Sequence, residues 1–184
     1  MLNIRTTAIL AVAFVLMGYA CTCAENLPDG YDGAKWGASV DDVQQHISFF
    51  PMSACDTPDG KFKTIYVVAP DGEKIKNITY YLFNNKLFQV EIEMCCTGDA
   101  VLDELKNKYG KPVAERILSK DSAGKCMSTV WRDDKTEVIC RQILPNKEVI
   151  WKNKVLYSSL PIRAAAEKGD SGRIIQYKTK IISK

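Results

Sequence analysis

Histidine is nearly absent from this sequence, since His46 is the single imidazole among 184 residues. One imidazole cannot build a histidine zinc site, which would have to recruit thiolates instead. The sequence around His46 contains no serine or cysteine motif of the kind that pairs a nucleophile with a base. We therefore interpret His46 as a residue on the flank of a helix that packs beside a sheet, not as a general base.

Long apolar runs are also scarce, and the one that exists lies close to the start of the chain. It follows Arg5 and precedes small residues, which is typical of a secretory signal peptide. It is shorter than the apolar run that a membrane-spanning helix needs. Cleavage would remove residues 1–24, or residues 1–20 if the loose lipobox before Cys21 directs a lipid onto that cysteine. In both cases we expect an exported protein, either in the periplasm or anchored to the outer membrane as a lipoprotein.

A strong excess of either charge is missing as well, because 25 Lys and Arg residues stand against 22 Asp and Glu residues. The small positive excess is concentrated in residues 161–184, which we predict to be a basic C-terminal tail. Its Arg173, Lys178 and Lys180 are candidates for binding an anionic envelope polymer or another envelope protein. A solvated tail without a partner is the alternative. Because the chain is exported, we do not expect a nucleic acid partner.

The spacing C-x-x-C does not occur among the seven cysteines, which excludes the common redox and zinc motifs. Export favours disulfides, and removal of the longer signal leaves five cysteines, enough for two disulfides and one thiol. Cys126 and Cys140 flank a predicted hairpin and form one candidate pair. Cys55 with Cys95 or Cys96 forms the other.

The adjacent thiols of Cys95 and Cys96 support an alternative function. Neighbours on a regular strand point to opposite faces, so a metal or redox pair at this position needs a bulge. Glu91 and Glu93 lie two residues apart on the same strand, whereas glycosidase carboxylates face each other across a cleft. We therefore interpret the two glutamates as a solvated strand face, and we expect no cofactor and no catalytic residue.

Hydrophobic periodicity predicts the order helix, strand, strand, strand, and this order occurs twice. We predict helices over 39–50 and 98–109, and strands over 64–69, 75–83, 87–96, 128–132, 137–143 and 149–157. Each unit of about 60 residues is near the lower limit for folding alone, so the two units are expected to share one core. The predicted fold is α+β, a bent antiparallel sheet with two helices packed on one face, in a single domain over 25–160.

Short local signals place the ends of these elements. Ser39 is a good helix N-cap, with Asp42 as a variant of the capping box. Asn84–Asn85 is a predicted two-residue hairpin turn, because asparagine tolerates positive φ. Gly110 is suited to follow the last turn of the second helix. Alternation along the third strand places Phe88 on the core face.

Two aromatic side chains are candidates for a binding surface. Tyr81 and Phe83 lie on the face of their strand opposite to Tyr80 and Leu82. Most aromatic side chains at strand spacing belong to the core, but one of these two pairs can lie outside it. An exposed pair marks a partner site, so we predict that Tyr81 and Phe83 contact a partner.

Three short stretches carry a resemblance to a known group: 36–39 (WGAS), 81–87 (YLFNNKL) and 105–112 (LKNKYGKP). The chain resembles uncharacterised bacterial periplasmic proteins and lipoproteins and, more distantly, the BamE/SmpA group and β-lactamase-inhibitor-like α+β envelope proteins. The resemblance implies binding of other proteins in assembly or inhibition, and it carries over no catalytic residue.

The signal segment and the resemblance together predict an exported, non-catalytic envelope protein. We expect it to bind another envelope protein or an anionic envelope polymer, with possible anchoring to the membrane through a lipid on Cys21. The alternative is a thiol-dependent redox or metal-binding envelope protein that uses the pair Cys95 and Cys96.

Overall fold

The computed structural model describes residues 27–47, 51–69, 74–94, 98–120, 124–145 and 152–169. Several residues that the sequence singles out lie outside these ranges: Cys21, Cys95, Cys96, Arg173, Lys178 and Lys180. The signal segment over 1–24 and the tail beyond residue 169 lie outside them too. No helix within these ranges is both long and apolar enough to span a membrane.

Ten strands and three helices make up the described ranges. In chain order they are β1 (Gly30–Tyr31), β2 (Ala34–Lys35), α1 (Val40–Ile47), β3 (Met52–Asp56), β4 (Phe62–Val68), β5 (Ile75–Phe83), β6 (Lys86–Met94), α2 (Gly98–Tyr109), β7 (Ala114–Lys120), β8 (Gly124–Arg132), β9 (Thr136–Pro145), β10 (Lys152–Ser159) and α3 (Leu160–Gly169). Strands β1 and β2 form a small ribbon, and the other eight form one sheet in the order β3-β4-β5-β6-β10-β9-β8-β7. Every neighbouring pair in this sheet is antiparallel.

The expected α+β fold of two helix-strand-strand-strand units, with two helices on one face, is wrong. The molecule is mostly β, because β3 and β7 add an edge strand to each half of the sheet, and α3 packs on the face opposite to the other helices. All five residues of β3 are exposed, as are six of the seven residues of β7. An edge strand without a buried face has no apolar alternation, so periodicity cannot reveal it.

The local signals for element ends are confirmed. The Ser39 N–H donates to Asp42 Oδ2 at 3.0 Å and the Asp42 N–H donates to Ser39 Oγ at 3.2 Å, so the two residues close a reciprocal capping box before α1. Asn84 and Asn85 both have positive φ, 48° and 59°, as a two-residue turn between β5 and β6 requires. Gly110 has a φ of 71° directly after α2.

Helices α1 and α2 pack on one side of the sheet, which we call the covered face. Val43 and Ile47 of α1 are buried there, as are Leu105 and Tyr109 of α2. Trp131 of β8 is fully buried beneath α2, and its Nε1 donates to the carbonyl oxygen of Gly110 at 2.9 Å. This bond ties the end of α2 to the strand below it.

The ribbon of β1 and β2 closes the covered face between the two helices. The ring of Tyr31 lies with its centroid 5.3 Å from that of Tyr157 and 6.4 Å from that of Tyr80. Burial, together with the charge of Asp32, raises the pKa of Tyr31 to about 12. The residues before α1 are therefore part of the packed core.

Among the described residues, the opposite side of the sheet, which we call the cleft face, is covered only at one end. Ala166 of α3 packs there against Phe62, Phe83 and Phe88. Phe88 is an extra residue in β6, because Tyr81 pairs with Gln89 while the next residue of β5 pairs with Leu87. The prediction that Phe88 faces the main core is therefore wrong, since a bulge turns its side chain to the other face.

Candidate functional site

A cleft of about 510 Å³ lies on the cleft face, beside α3. The strands β4, β5 and β6 of one half and β7, β8, β9 and β10 of the other all contribute lining residues. Its volume falls within the range of ligand pockets in proteins. The cleft therefore spans the junction of the two halves of the sheet.

Arginine is concentrated in this cleft. Arg116, Arg132, Arg141 and Arg163 all line it, and they are all the arginines that the described ranges contain. Lys63 is the single lysine among the lining residues of these ranges. Arginine differs from lysine in its planar fork of donors, which matches the two oxygens of a carboxylate or the oxygens of a phosphate.

Glu137 is the single acidic lining residue within the described ranges, and two of the arginines hold it. Its side chain is 3% exposed. Arg163 Nη1 donates to Oε1 at 2.6 Å, and Arg132 donates to Oε2 from Nε at 2.8 Å and from Nη2 as well. Burial alone would raise the pKa of Glu137, but the hydrogen bonds and charges of the two arginines hold this pKa below its usual value.

The other two arginines, Arg116 and Arg141, contact no carboxylate of the described residues. Arg116 of β7 and Arg141 of β9 both pair in register with Ser128 of β8, which lies between them. Neither guanidinium forms an ion pair within the described part of the chain. Arg141 Nε is buried and has no hydrogen-bond partner among the described residues.

An apolar strip separates these two arginine pairs. Val130, Ile139 and Leu156 line the cleft and are neighbours in register across β8, β9 and β10. They lie two residues along each strand from the row of Glu137 and two residues from the row of Arg141, a step of about 7 Å in each direction. The cleft thus has two cationic rows with an apolar strip between them.

The glutamates of β6 border the cleft without lining it. Glu91 is 6% exposed, and Lys154 Nζ donates to its Oε1 at 2.5 Å. Glu93 accepts a hydrogen bond from Asn77 at 3.2 Å and lies 3.8 Å from Lys76 Nζ. The interpretation of both as a solvated strand face is therefore wrong for Glu91, because its ion pair with the next strand allows burial.

The two aromatic candidates lie in different environments. Tyr81 is half-buried and lines the cleft. Phe83 is 8% exposed, and its ring centroid lies 4.9 Å from that of Phe62 in the cluster under α3. Tyr81 therefore forms part of the cleft wall, whereas Phe83 packs under the helix α3.

The structure does not bring Cys126 and Cys140 together. Cys126 of β8 pairs with Ile143, and Cys140 of β9 pairs with Thr129, so the two cysteines are three positions apart in register. Cys140 is fully buried in the core of the covered face, whereas Cys126 is half-buried on the cleft face. Burial raises the pKa of Cys126, although the charge of Arg141 acts in the opposite direction.

The other candidates that the structure describes do not line the cleft. Cys55 is exposed on the edge strand β3, and Cys96 lies outside the described residues. His46 is exposed on α1, beside Gly33 of the ribbon turn. The parts of the chain that the structure describes contain no group of three His, Cys, Asp or Glu residues that could hold a metal ion.

In the sequence the four cleft arginines all lie beyond residue 115, whereas lysines occur from residue 35 onward, but this difference does not show that the arginines share one cleft. Strand alternation alone would not have found the site. Arg116 lies on an edge strand that the sequence does not predict, and Arg163 lies on α3, which packs against the strands of the other half of the sheet. Comparison of the chain with protein-family models, with curated proteins and with solved structures finds no match. The resemblance to the BamE/SmpA group stays a prediction, and the function has to be argued from the cleft itself.

Proposed function

We propose that this is an exported, non-catalytic binding protein whose cleft face docks an acidic segment of a partner protein. The observation that carries the proposal is the concentration of all four described arginines in one cleft, with one acidic residue among them. A guanidinium binds a carboxylate through two parallel hydrogen bonds, which gives affinity and fixed geometry together.

The alternation of charge and apolar surface favours a protein partner over a uniformly charged polymer. The two cationic rows suit carboxylates, and the strip of Val130, Ile139 and Leu156 suits aliphatic side chains between them. A polymer with a charge on every unit has no group for the apolar strip. An amphipathic acidic segment has both kinds of group.

The arrangement of the lining residues supports binding rather than catalysis. The carboxylate of Glu137 accepts hydrogen bonds from Arg132 and Arg163, and its lowered pKa makes it a poor base near neutral pH. The raised pKa of Cys126, the thiol beside the cleft, is the opposite of what a reactive thiolate needs. The alternative function at Cys95 and Cys96 involves residues outside the described ranges, and no observation favours it.

Export is the second part of the proposal and depends on the N-terminal sequence. The processed protein would meet its partner in the periplasm or at the outer membrane. The basic residues Arg173, Lys178 and Lys180 would attract the same acidic partner from a distance, because like the cleft they are positively charged.

The test uses the processed protein and a fluorescein-labelled peptide in which Glu and Leu alternate. The control peptide has Gln in place of each Glu, and binding is followed by fluorescence anisotropy at low and at physiological salt. We expect the acidic peptide to bind about tenfold more tightly than the control, with an affinity that falls as salt rises. Equal affinity for the two peptides would overturn the proposal.

A charge control separates the cleft from the net charge of the protein. Lys35→Gln removes one exposed positive charge from the ribbon on the covered face, on the other side of the sheet from the cleft. We expect the affinity to change by less than about twofold, because salt screens exposed charges that are far from the ligand.

Polyglutamate tests the apolar strip. If polyglutamate binds as tightly as the Glu/Leu peptide, the apolar strip contributes nothing to binding, and a charged polymer is favoured as the partner.

A further inference from the structure

We infer that Arg116, Ser128 and Arg141 form a subsite for a single carboxylate, the anchor point of the acidic segment. This inference rests on the proposed function. It goes further by naming one group on the partner and the three residues that receive it.

Strand register brings the two arginines to one point. Arg116 and Arg141 are both paired with Ser128, one from each side, so their Cα atoms lie about two strand spacings, or 10 Å, apart. Arginine side chains are long enough to converge across that distance above the short side chain of Ser128. Ser128 is 6% exposed and lines the cleft, so its hydroxyl lies at the floor of the subsite.

The buried Nε atom of Arg141 indicates that a ligand completes this arrangement. Its Nε is buried and makes no hydrogen bond to any described residue. A buried charged donor without an acceptor is costly, and a carboxylate oxygen would remove that cost. The unpaired donor is an observation independent of the simple excess of arginine in the cleft.

The other arginine pair on the cleft face shows that a carboxylate fits between two arginines. In the other row of the cleft the carboxylate of Glu137 lies between Arg132 and Arg163, where it is 3% exposed and accepts hydrogen bonds from both. A carboxylate is planar and carries one charge, so two guanidiniums can satisfy it. In the row of Arg116 and Arg141 a serine occupies the position between the arginines.

Carboxylates of the described chain that lie nearby have other partners. Glu93 lies in the same cross-strand row as Arg141, but it contacts Asn77 and Lys76. Glu115, next to Arg116 in β7, lies 3.2 Å from Lys106 Nζ. Within the described ranges no carboxylate pairs with Arg116 or Arg141, and we assign the carboxylate of the subsite to a second molecule.

The decisive experiment supplies the carboxylate from within the chain. Ser128→Asp places a carboxyl group between the two arginines, and Ser128→Asn places a neutral group of the same shape there. With the Glu/Leu peptide as probe, we expect Ser128→Asp to weaken binding about tenfold relative to Ser128→Asn, because its own carboxylate occupies the subsite. We also expect Ser128→Asp to unfold at a higher temperature than Ser128→Asn, since it gains the ion pairs that Ser128→Asn lacks.

Two arginine variants decide the question if the variants of Ser128 do not fold. Arg116→Gln and Arg141→Gln should each weaken binding of the same peptide about tenfold, and the double variant should weaken it by less than the product, because both arginines bind one group. Equal binding by the Asp and Asn variants, or full binding by both arginine variants, would overturn the subsite. The proposed function is tested separately, by the preference of the parent protein for the acidic peptide over its Gln control. If that preference remains while the subsite tests fail, only the subsite is overturned.

Competition distinguishes the chemistry of the ligand. Glutarate, a free dicarboxylate, should displace the peptide from the parent protein and should have no measurable effect on residual binding to Arg141→Gln. Inorganic phosphate at the same ionic strength should displace it less well. Stronger displacement by phosphate than by glutarate would overturn the assignment to a carboxylate.

Discussion

The two faces of the sheet hold the molecule together by different interactions. On the covered face, helices α1 and α2 and the ribbon bury apolar and aromatic side chains, with Trp131 and Val138 completely inaccessible. On the cleft face, charged side chains such as Glu91 and Glu137 are buried against lysine and arginine from other elements. The covered face is therefore stabilised by removal of apolar surface from water, whereas the part of the cleft face around Glu91 and Glu137 depends on charge pairing and hence on pH.

The largest effect should come from the covered face. Trp131→Ala removes a fully buried ring and its hydrogen bond to Gly110, and we expect a loss of about 4 kcal/mol in the free energy of unfolding. Urea unfolding followed by circular dichroism measures this loss. As a control, Ile117→Ala truncates a side chain on β7 that is 59% exposed and should change stability by less than about 0.5 kcal/mol. Comparable losses in the two variants would contradict the placement of the core.

The next largest loss of stability should come from a substitution on the cleft face, and this loss should depend on pH. Glu137→Gln leaves Arg132 and Arg163 without their carboxylate, and we expect a loss of about 3 kcal/mol at pH 7. The pKa of Glu137 is lower in the folded than in the unfolded protein. The stability from this carboxylate is therefore complete above its unfolded pKa and is lost as pH falls through the folded pKa.

The measurement is the urea midpoint of both proteins from neutral to acidic pH. The difference between parent and Glu137→Gln should shrink as the solution is acidified, because protonated Glu137 resembles glutamine in charge. The covered face provides the comparison, since Trp131→Ala should lose nearly the same free energy across this range. A constant difference for Glu137→Gln would show that its charge does not matter.

A smaller effect should come from the hairpin turn that joins β5 and β6. Asn85 has a φ of 59°, and its Oδ1 accepts a hydrogen bond from the Val40 N–H at the start of α1, 3.0 Å away. Asn85→Ala loses both the tolerance for positive φ and the acceptor, so we expect a loss of about 1.5 kcal/mol. Asn85→Gly keeps the turn conformation and loses only the acceptor, so it should cost less. The reverse order would indicate that the turn does not need positive φ.

The smallest expected effect is a difference in alkylation rate between two thiols, one at the edge of the sheet and one beside the cleft. Cys55 is exposed on β3, whereas Cys126 is half-buried and has a raised pKa. In reduced native protein at neutral pH, iodoacetamide should alkylate Cys55 about tenfold faster than Cys126. Peptide mass spectrometry over time follows both sites, and in urea their rates should converge. Faster reaction at Cys126 would contradict the lower reactivity that its burial and raised pKa predict.

The signals that predicted local structure correctly are those that a few neighbouring residues determine. The capping box of Ser39 and Asp42, the turn at Asn84–Asn85 and the helix end at Gly110 each depend on the backbone preferences of one to four residues. The strand over residues 75–83 was also predicted with its observed bounds. The capping box, the turn and the helix end form from local backbone preferences, whatever surrounds them.

The features that the sequence did not predict depend on contacts between distant segments. Phe88 changes face because β5 and β6 pair with a bulge, which a single strand's alternation cannot show. Strands β3 and β7 exist because an edge was available for them to pair with. The cleft combines Arg116 on one of these edges with Arg163 on the last helix, so its composition was unpredictable without the topology.

The order of the strands has a consequence for when the protein can fold. Strand β10 is the last strand of the described residues to be made, yet it lies in the middle of the sheet, where it pairs with β6 on one side and β9 on the other. Until residues 152–159 arrive, the two halves have no shared hydrogen bonds in the sheet. A protein that must cross a membrane unfolded would benefit from this delay, because contacts between segments far apart in sequence form slowly and only after the chain is nearly complete.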